Sequence, residues 1–344
     1  MDELKKIFTP RLKKLVLDLF VESAKGLPGV GGMVNASDKL LRGLADIEQE
    51  ERQKRLKDYA LGLAYDYVED VEFREEEVLT VVRKLVADDE AAKTEYYTRL
   101  TLGLGRIDME TLPPKMRYHL IRMTSELTCY QIEFARELKI RKTVPIIGTL
   151  SLDEAELKLT SMERGMTLQA VSTLRNWGLI KEVSLPPRAK PPAGQLYDLT
   201  QDFHTLMSLL FHPDDFSPLT IDQKPKEIVD VIIVEPYSSA DNLYEEYLTS
   251  ILNREGKKVS VETRGSQHLY EKLGHRYLHT GELLKDKKKF IRFNLTKTGH
   301  KSDAETQRTF LIEKELYTRF NNNSSSAQSK LRQKLDEIAS AVLE

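Results

Sequence analysis

The chain has 344 residues, of which 40% are hydrophobic and 31% charged, and its formal net charge is −2. The chain is longer than domains with a single hydrophobic core usually are, which favours two or three domains. The small net charge excludes nucleic-acid binding through overall charge, so such binding would need a local basic face. A single cysteine, Cys129, excludes an internal disulfide framework and fits a reducing compartment.

No apolar run approaches the roughly 20 residues of a membrane span, and acidic residues near Met1 argue against a signal peptide. We therefore expect a cytoplasmic protein.

Helical spacing of apolar residues dominates the first part of the chain. Residues 10–24, 37–69, 75–104 and 115–142 each place apolar side chains three and four positions apart. Glycines and the Pro113-Pro114 pair break this pattern between segments. We predict a helical bundle over residues 1–145.

A glycine-rich stretch, Gly26–Asn35, lies inside this region. A phosphate-binding loop is disfavoured, because no strand precedes the glycines and no Lys-Ser/Thr follows them. A turn between closely packed helices explains them, and insertion into a membrane or a partner groove is the alternative.

The central region, residues 146–213, has the order of a winged helix. A predicted helix at Thr167–Asn176 ends at Gly178, which suits the left-handed stop. Strand-like segments begin at Ile180 and Gln195 around a Pro-rich excursion, and Thr200 is placed to cap a last helix.

Short motifs along this part of the chain carry a family resemblance. They are Asp88-Asp89-Glu90 with Lys93, Tyr96 and Tyr97; Ser125-Glu-Leu-Thr; Leu174-x-x-Trp-Gly-Leu-Ile; and Tyr197-Asp-Leu-Thr. In this order they resemble the Abi-alpha type of bacterial protein over about residues 70–211. That resemblance implies a role in abortive infection and phage defence, and it brings no catalytic residue. Leu27–Gly32 also resembles N-terminal helical modules of bacterial defence proteins, some of them likened to membrane-active bundles.

After a Pro-rich linker at 214–226, a small α/β domain is predicted over residues 227–320. Strands are expected at 228–234, 258–263 and 290–295, with helices near 241–256, 268–284 and 304–319. An amphipathic C-terminal helix is expected over 327–344. The fold class is thus mainly α and multidomain, with a helical bundle, a winged helix and a small α/β domain plus terminal helix.

Ligands of open α/β sheets bind at the carboxyl ends of the strands. The rule points to the polar residues that follow the first two predicted strands. A helix that begins near Asp241 would also favour an anion there, because its first backbone N–H groups are free to bind one. The ligand-binding candidates are Glu235, Tyr237, Ser238, Ser239, Asp241 and Arg264.

Nucleic-acid candidates come from the winged helix and from a lysine-rich run. They are Gln169, Thr173, Arg175, Arg188, Lys190, Lys287, Lys288 and Lys289. The predicted recognition helix contains one cation, Arg175, so the sequence favours a winged helix that contacts protein. A solvated turn is the ordinary explanation of the lysine run.

His268, His275 and His279 would share one face of the predicted helix at 268–284, and His275 with His279 has zinc-type spacing. The general-base glutamate between such histidines is missing, so we expect no metal site and no cofactor.

These observations predict a bacterial defence-type regulatory or effector protein that acts through protein contacts or self-association, with a possible ligand-sensing α/β domain. A DNA-binding winged-helix regulator is the second hypothesis. An enzyme, nuclease or nucleotide-handling, with its site in the α/β domain is the third. The sequence favours a non-enzymatic role.

Overall fold

The computed structural model describes residues 36–65, 71–183, 194–235, 243–266, 271–297, 306–316 and 325–344. The chain divides into two compact units, Met1–Lys142 with Glu156–Ile221 and Thr143–Ala155 with Asp222–Glu344. Helices predominate, and a five-stranded and a two-stranded sheet accompany them. This mixed layout agrees with the coarse prediction. The predicted helix at 10–24 and the stretch Gly26–Asn35 lie outside the described residues.

The first unit is built from helices and one short hairpin. They are α1 (Ala36–Tyr65), α2 (Glu75–Ala87), α3 (Thr94–Arg106), α4 (Pro114–Glu126), α5 (Cys129–Thr143), α6 (Leu152–Thr160), α7 (Gly165–Asn176), β1 (Ile180–Glu182), β2 (Tyr197–Leu199) and α8 (Gln201–Leu210). Two short 3₁₀ turns, Pro213–Phe216 and Pro218–Ile221, follow. No described helix is both long and apolar enough to cross a membrane.

One hydrophobic core holds this unit together. Buried side chains of α1 to α5 pack in the same cluster as those of α7, β1 and α8. Gly103 in α3 permits close contact with α8, because a Cβ at that position would lie 2.7 Å from Leu209 Cδ2 and 3.3 Å from Leu209 Cα. A larger residue at Gly103 would therefore push α8 away from α3.

A fully buried arginine joins three helices of this core. Arg117 on α4 donates from Nε and Nη2 to the two carboxylate oxygens of Glu77 on α2, at 2.7 and 2.9 Å. Its remaining donors reach the carbonyl oxygens of Ile107, at 2.9 Å, and Leu104, at the end of α3. The Leu104 carbonyl otherwise accepts only the long bond from the Ile107 N–H at 3.4 Å. Arg117 therefore adds donors at the last turn of α3 while it pairs with Glu77.

The hairpin after α7 is fixed by local backbone chemistry. Gly178 takes a φ of 68° and ends α7, which confirms the predicted helix stop. Ile180 pairs with Leu199 in the antiparallel β1–β2 ladder. The Thr200 hydroxyl accepts from the Phe203 backbone N–H at 3.3 Å at the start of α8, which confirms the predicted cap.

The second unit contains a five-stranded mixed sheet. Its strands are β3 (Glu227–Glu235), β4 (Val259–Thr263), β5 (Lys272–Lys285), β6 (Lys288–Thr296) and β7 (Thr306–Glu313). The spatial order is β4-β3-β5-β6-β7, with β3 parallel to both β4 and β5, and with β6 antiparallel to its two neighbours.

Two helices cover one face of this sheet. They are α9 (Leu243–Arg254) and α10 (Ser325–Leu343). Leu248 of α9 and Leu335 of α10 join sheet residues such as Ile233 and Phe293 in one buried cluster. Alternation along the strands then places Ile232, Val234 and Tyr277 on the opposite face, where they form a separate cluster.

Two predicted helices of this unit are wrong. Residues 272–284 of the predicted helix at 268–284 lie in strand β5, and residues 306–313 of the predicted helix at 304–319 form strand β7. The strands at 228–234, 258–263 and 290–295 and the C-terminal helix are confirmed. Residues 272–285 form a strand rather than a helix because they are hydrogen-bonded to a strand on each side, β3 and β6. This tertiary pairing overrides the local helical pattern.

We predict that Arg117→Ala lowers the free energy of unfolding of the first unit by about 3–5 kcal/mol, because the buried Glu77 carboxylate loses its partner. Urea unfolding followed by the fluorescence of Trp177, the chain's single tryptophan, measures this change. Arg83→Ala, an exposed position on α2, is the matched control and should change stability by less than about 0.5 kcal/mol. Equal midpoints for the two variants would contradict the prediction.

Candidate functional site

Among the ligand-binding candidates, the structure brings Glu235 and Arg264 together. Glu235 ends β3, and its carbonyl oxygen accepts from the Arg264 backbone N–H at 2.6 Å. The Glu235 side chain is buried and accepts a hydrogen bond from the Tyr244 hydroxyl of α9 at 2.8 Å. This carboxylate therefore connects the sheet to α9. Tyr237, Ser238, Ser239 and Asp241 lie outside the described residues.

Polar side chains also line the sheet face opposite the two helices, which we call the second face. Strand registers place Glu262, Val234, His279, Asn294 and Thr309 side by side in one row across all five strands. Glu262, His279 and Asn294 are each less than 10% exposed. Buried polar groups concentrated on one face are unusual for a plain packing surface.

An ion pair and hydrogen bonds connect residues of the second face. Lys272 Nζ lies 2.6 Å from Glu262 Oε1 and donates to Ser260 Oγ at 2.8 Å. The Thr309 hydroxyl donates to Asn294 Oδ1 at 3.1 Å.

The side chains of Tyr277 and His279 are stacked, with ring centroids 6.3 Å apart. The predicted helical face shared by His268, His275 and His279 is wrong for the last two, which lie on β5, and His268 is outside the described residues. Within the described part, no three His, Cys, Asp or Glu side chains form a group that could hold a metal.

The nucleic-acid candidates on α7 are largely engaged within the fold. Thr173 accepts from Gln131 Nε2 at 3.2 Å, and Arg175 pairs with Glu182 of β1 at 2.9 Å. Gln169 is exposed on the outward face of α7 together with Ser172 and Asn176, and Met166 and Leu168 on the two flanks of the helix are 58% and 56% exposed. Arg188 and Lys190 lie outside the described residues. The exposed surface of α7 therefore has more uncharged than cationic side chains.

The lysine candidates form the tip of the β5–β6 hairpin. Asp286 and Lys287 have φ angles of 50° and 62°, which makes a tight turn of the kind favoured by strand twist. Lys287, Lys288 and Lys289 are exposed, and Lys288 lies 3.3 Å from Glu313 of β7. The sequence predicted this turn and the strand after it, β6, but not the long strand before it, β5.

An open cleft of about 480 Å³ lies in the first unit, beside Asp58, Thr94, Glu95, Arg99 and His212. Arg99 contacts Asp215 at 2.5 Å and Glu95 at 2.6 Å, so two carboxylates already engage it. Partial burial acts to raise the pKa of Asp215, but the His212 backbone N–H and Arg99 outweigh it, and the pKa falls below its ordinary value. The cleft's guanidinium therefore serves the packing of α3 against the segment after α8.

The single cysteine lies outside all of these surfaces. Burial raises the pKa of Cys129 to about 12, and the neighbouring Glu90 carboxylate adds to the increase. A thiol with so high a pKa is protonated at neutral pH and is a poor nucleophile.

Comparison of the chain with protein-family models, with curated proteins and with solved structures finds no match. Functional inference therefore rests on the residues themselves.

If Glu235 serves to connect β3 with α9, removal of its donor should loosen that contact. We predict that Tyr244→Phe destabilises the second unit by about 1–3 kcal/mol, the usual cost of a lost buried hydrogen bond. Amide hydrogen exchange in β3 and α9, read by mass spectrometry, should accelerate by about fivefold or more.

Tyr247→Phe on the same helix is the control, because the Tyr247 hydroxyl makes a longer, exposed contact to Asp336 at 3.3 Å. The structural role of Glu235 would be refuted by exchange rates that are the same in the two variants.

Proposed function

We propose that this chain is a bacterial abortive-infection-type regulatory or effector protein that acts through protein contacts. The region from α6 to α8 serves as a winged helix, and α7 occupies the position of a recognition helix. The observation that carries the proposal is the scarcity of cations on α7, whose most outward positions, Gln169, Ser172 and Asn176, are uncharged. A helix that reads DNA presents several cations to phosphates and base edges, whereas the outward face of α7 has one, Arg175, already paired with Glu182.

The partner that best fits the exposed α6–α7 turn and the start of α7 is a second copy of the chain. Met162, Met166 and Leu168 are 39%, 58% and 56% exposed at the α6–α7 turn and the start of α7. Glu163 and Arg164 lie between the first two and are both exposed. In a two-fold contact, Glu163 of one copy can face Arg164 of the other, so the surface is self-complementary in charge as well as apolar.

The motifs behind the family resemblance support this assignment through their place in the fold. Lys93 lies 2.5 Å from Asp88 and donates to the Ser125 carbonyl oxygen at 2.9 Å. Tyr97 also donates to Asp88, at 2.7 Å. The first two motifs therefore meet in one buried network, which favours a shared scaffold rather than a shared active site.

Self-association is tested by the mass of the full chain in solution. We expect wild type to show a concentration-dependent dimer in sedimentation equilibrium, and the double variant Met166→Ser with Leu168→Ser to be monomeric at the same concentrations. Leu219→Ser removes an apolar side chain that is 66% exposed elsewhere in the unit and should leave the dimer intact. A monomeric wild-type protein at about 100 μM would contradict a specific two-fold contact.

The defence role is tested by phage infection of bacteria that express the chain. Wild type should reduce the number of plaques, the Met166→Ser/Leu168→Ser variant should lose most of this reduction, and Leu219→Ser should retain it. Unchanged plaque numbers with wild-type protein across a broad phage panel would count against the proposed function.

A further inference from the structure

The second face ends in a cluster of cations at the β5–β6 turn. Neither the contact proposed at α7 nor packing in the sheet core explains this cluster. Between residues 281 and 293 the chain has five cations, Lys285, Lys287, Lys288, Lys289 and Arg292, against two acids, Glu282 and Asp286. This segment is thus net positive by three, whereas the whole chain has a net charge of −2. Such a local excess is the electrostatic signature of an anion-binding surface.

Strand register shows which of these side chains share the second face. His279 and Asn294 are paired, and alternation carries the same face to Gly281 with Arg292, Leu283 with Phe290, and Lys285 with Lys288. Lys289 and Glu282 belong to the other face, where Glu282 is paired with Lys314. Along β5 and β6 toward their turn, the second face therefore presents first buried polar groups, then Arg292 and Phe290, and finally the exposed lysines.

The cations on this face are available to a ligand. Within the described part of the chain, Lys285, Lys287 and Arg292 have no carboxylate within 4 Å, and Lys288 has a long contact of 3.3 Å to Glu313. Arg292 is half-buried and Phe290 is half-buried beside it. Unpaired cations next to an aromatic side chain provide both a phosphate contact and a stacking platform.

The described residues leave space above the sheet at the same place. A Cβ added to Gly281 would have none of their atoms within 4 Å. Since Gly281 lies beside Arg292 in the ladder, a planar group can approach the backbone there without meeting a side chain at position 281.

We propose that the second face of the β5–β6 hairpin binds single-stranded nucleic acid. Lys285, Lys287, Lys288 and Arg292 contact phosphates, and Phe290 stacks on a base above Gly281. The exposed Thr309 borders this site, and its hydroxyl can accept a hydrogen bond from a ligand, whereas His279 and Asn294 are buried beside it. A sheet face with a basic border suits unpaired bases, whereas a duplex hides its bases from such a surface.

An anionic membrane fits the same surface less well. Leu283 and Phe290 lie half-buried in the sheet, and the one strongly exposed apolar side chain of the hairpin, Leu284, is on the opposite face. One exposed leucine gives too little apolar burial for stable membrane binding.

Binding of single strands to the full-length protein is measured by fluorescence anisotropy, with a labelled mixed-sequence 20-nucleotide DNA and the matching RNA. We expect binding at 50 mM salt and a strong decrease at 200 mM, because each neutralised phosphate of a single strand contributes about −0.7 to the slope of log K against log salt. A duplex of the same sequence and vesicles containing anionic lipid should bind at least tenfold more weakly. Failure of wild type to bind either strand, or tighter binding to duplex or vesicles, overturns the proposal.

Matched variants locate the surface. The triple variant Lys285→Gln, Lys287→Gln and Arg292→Gln should bind at least tenfold more weakly, with a salt slope shallower by about 2. Lys330→Gln, Arg332→Gln and Lys334→Gln make the same charge change on exposed positions of α10 and should bind like wild type. Equal affinities for these two triple variants overturn the proposal.

Two further variants separate stacking from charge and this surface from α7. Phe290→Leu keeps an apolar side chain and should lower affinity by roughly tenfold with an unchanged salt slope, because it removes stacking. The Met166→Ser/Leu168→Ser variant should bind the strand like wild type. Loss of binding in that variant, with the Phe290→Leu protein unaffected, would assign nucleic-acid binding to α7 and overturn the proposal.

Discussion

The buried ion pair between Arg117 and Glu77 is the interaction on which the helical unit depends. A guanidinium with no exposed surface is tolerated because all of its contacts are specific, two to a carboxylate and two to carbonyl oxygens at and just after the end of α3. Since those contacts come from α2 and α3, the relative positions of three helices are set by one side chain. The apolar core adds stability around this arrangement but is less directional.

A second buried network is built around the acid-rich stretch Asp88-Asp89-Glu90. Asp88 receives Lys93 and Tyr97, and Lys93 continues to the Ser125 carbonyl oxygen at the end of α4. Glu90 accepts from the Cys129 backbone N–H at 2.6 Å, where α5 begins. The acid-rich stretch therefore positions α3, α4 and α5 relative to one another. These side chains are therefore engaged in the packing of the three helices.

The sequence predicts the first unit well because its helices are amphipathic. Buried positions such as Leu100, Leu120 and Leu138 fall on the predicted faces. It predicts neither buried network, because Arg117 looks like a solvated charge and Glu77 like one of several first-turn acids. Only tertiary structure brings these two side chains, 40 residues apart, into contact.

The failure at β5 has a different cause. A half-buried strand is recognised by alternating apolar and polar residues, but β5 buries His279 and Thr280 together with Tyr277 and Leu278. Polar burial on the second face thus removes the strand signal and leaves apolar spacing that resembles a helix. For the same reason, the sequence pattern does not reveal that His279, Asn294 and Thr309 lie in one row across the sheet.

The two glycines of β5 differ in what surrounds them. A glycine within a strand weakens it and needs a reason. Gly274 has one, since a Cβ there would lie 2.9 Å from Ile232 Cγ1. Gly281 has no comparable neighbour, so packing within the described residues does not require its missing side chain. The space that it leaves beside Arg292 suits the ligand that we propose for this face, and the local excess of positive charge favours an anion there.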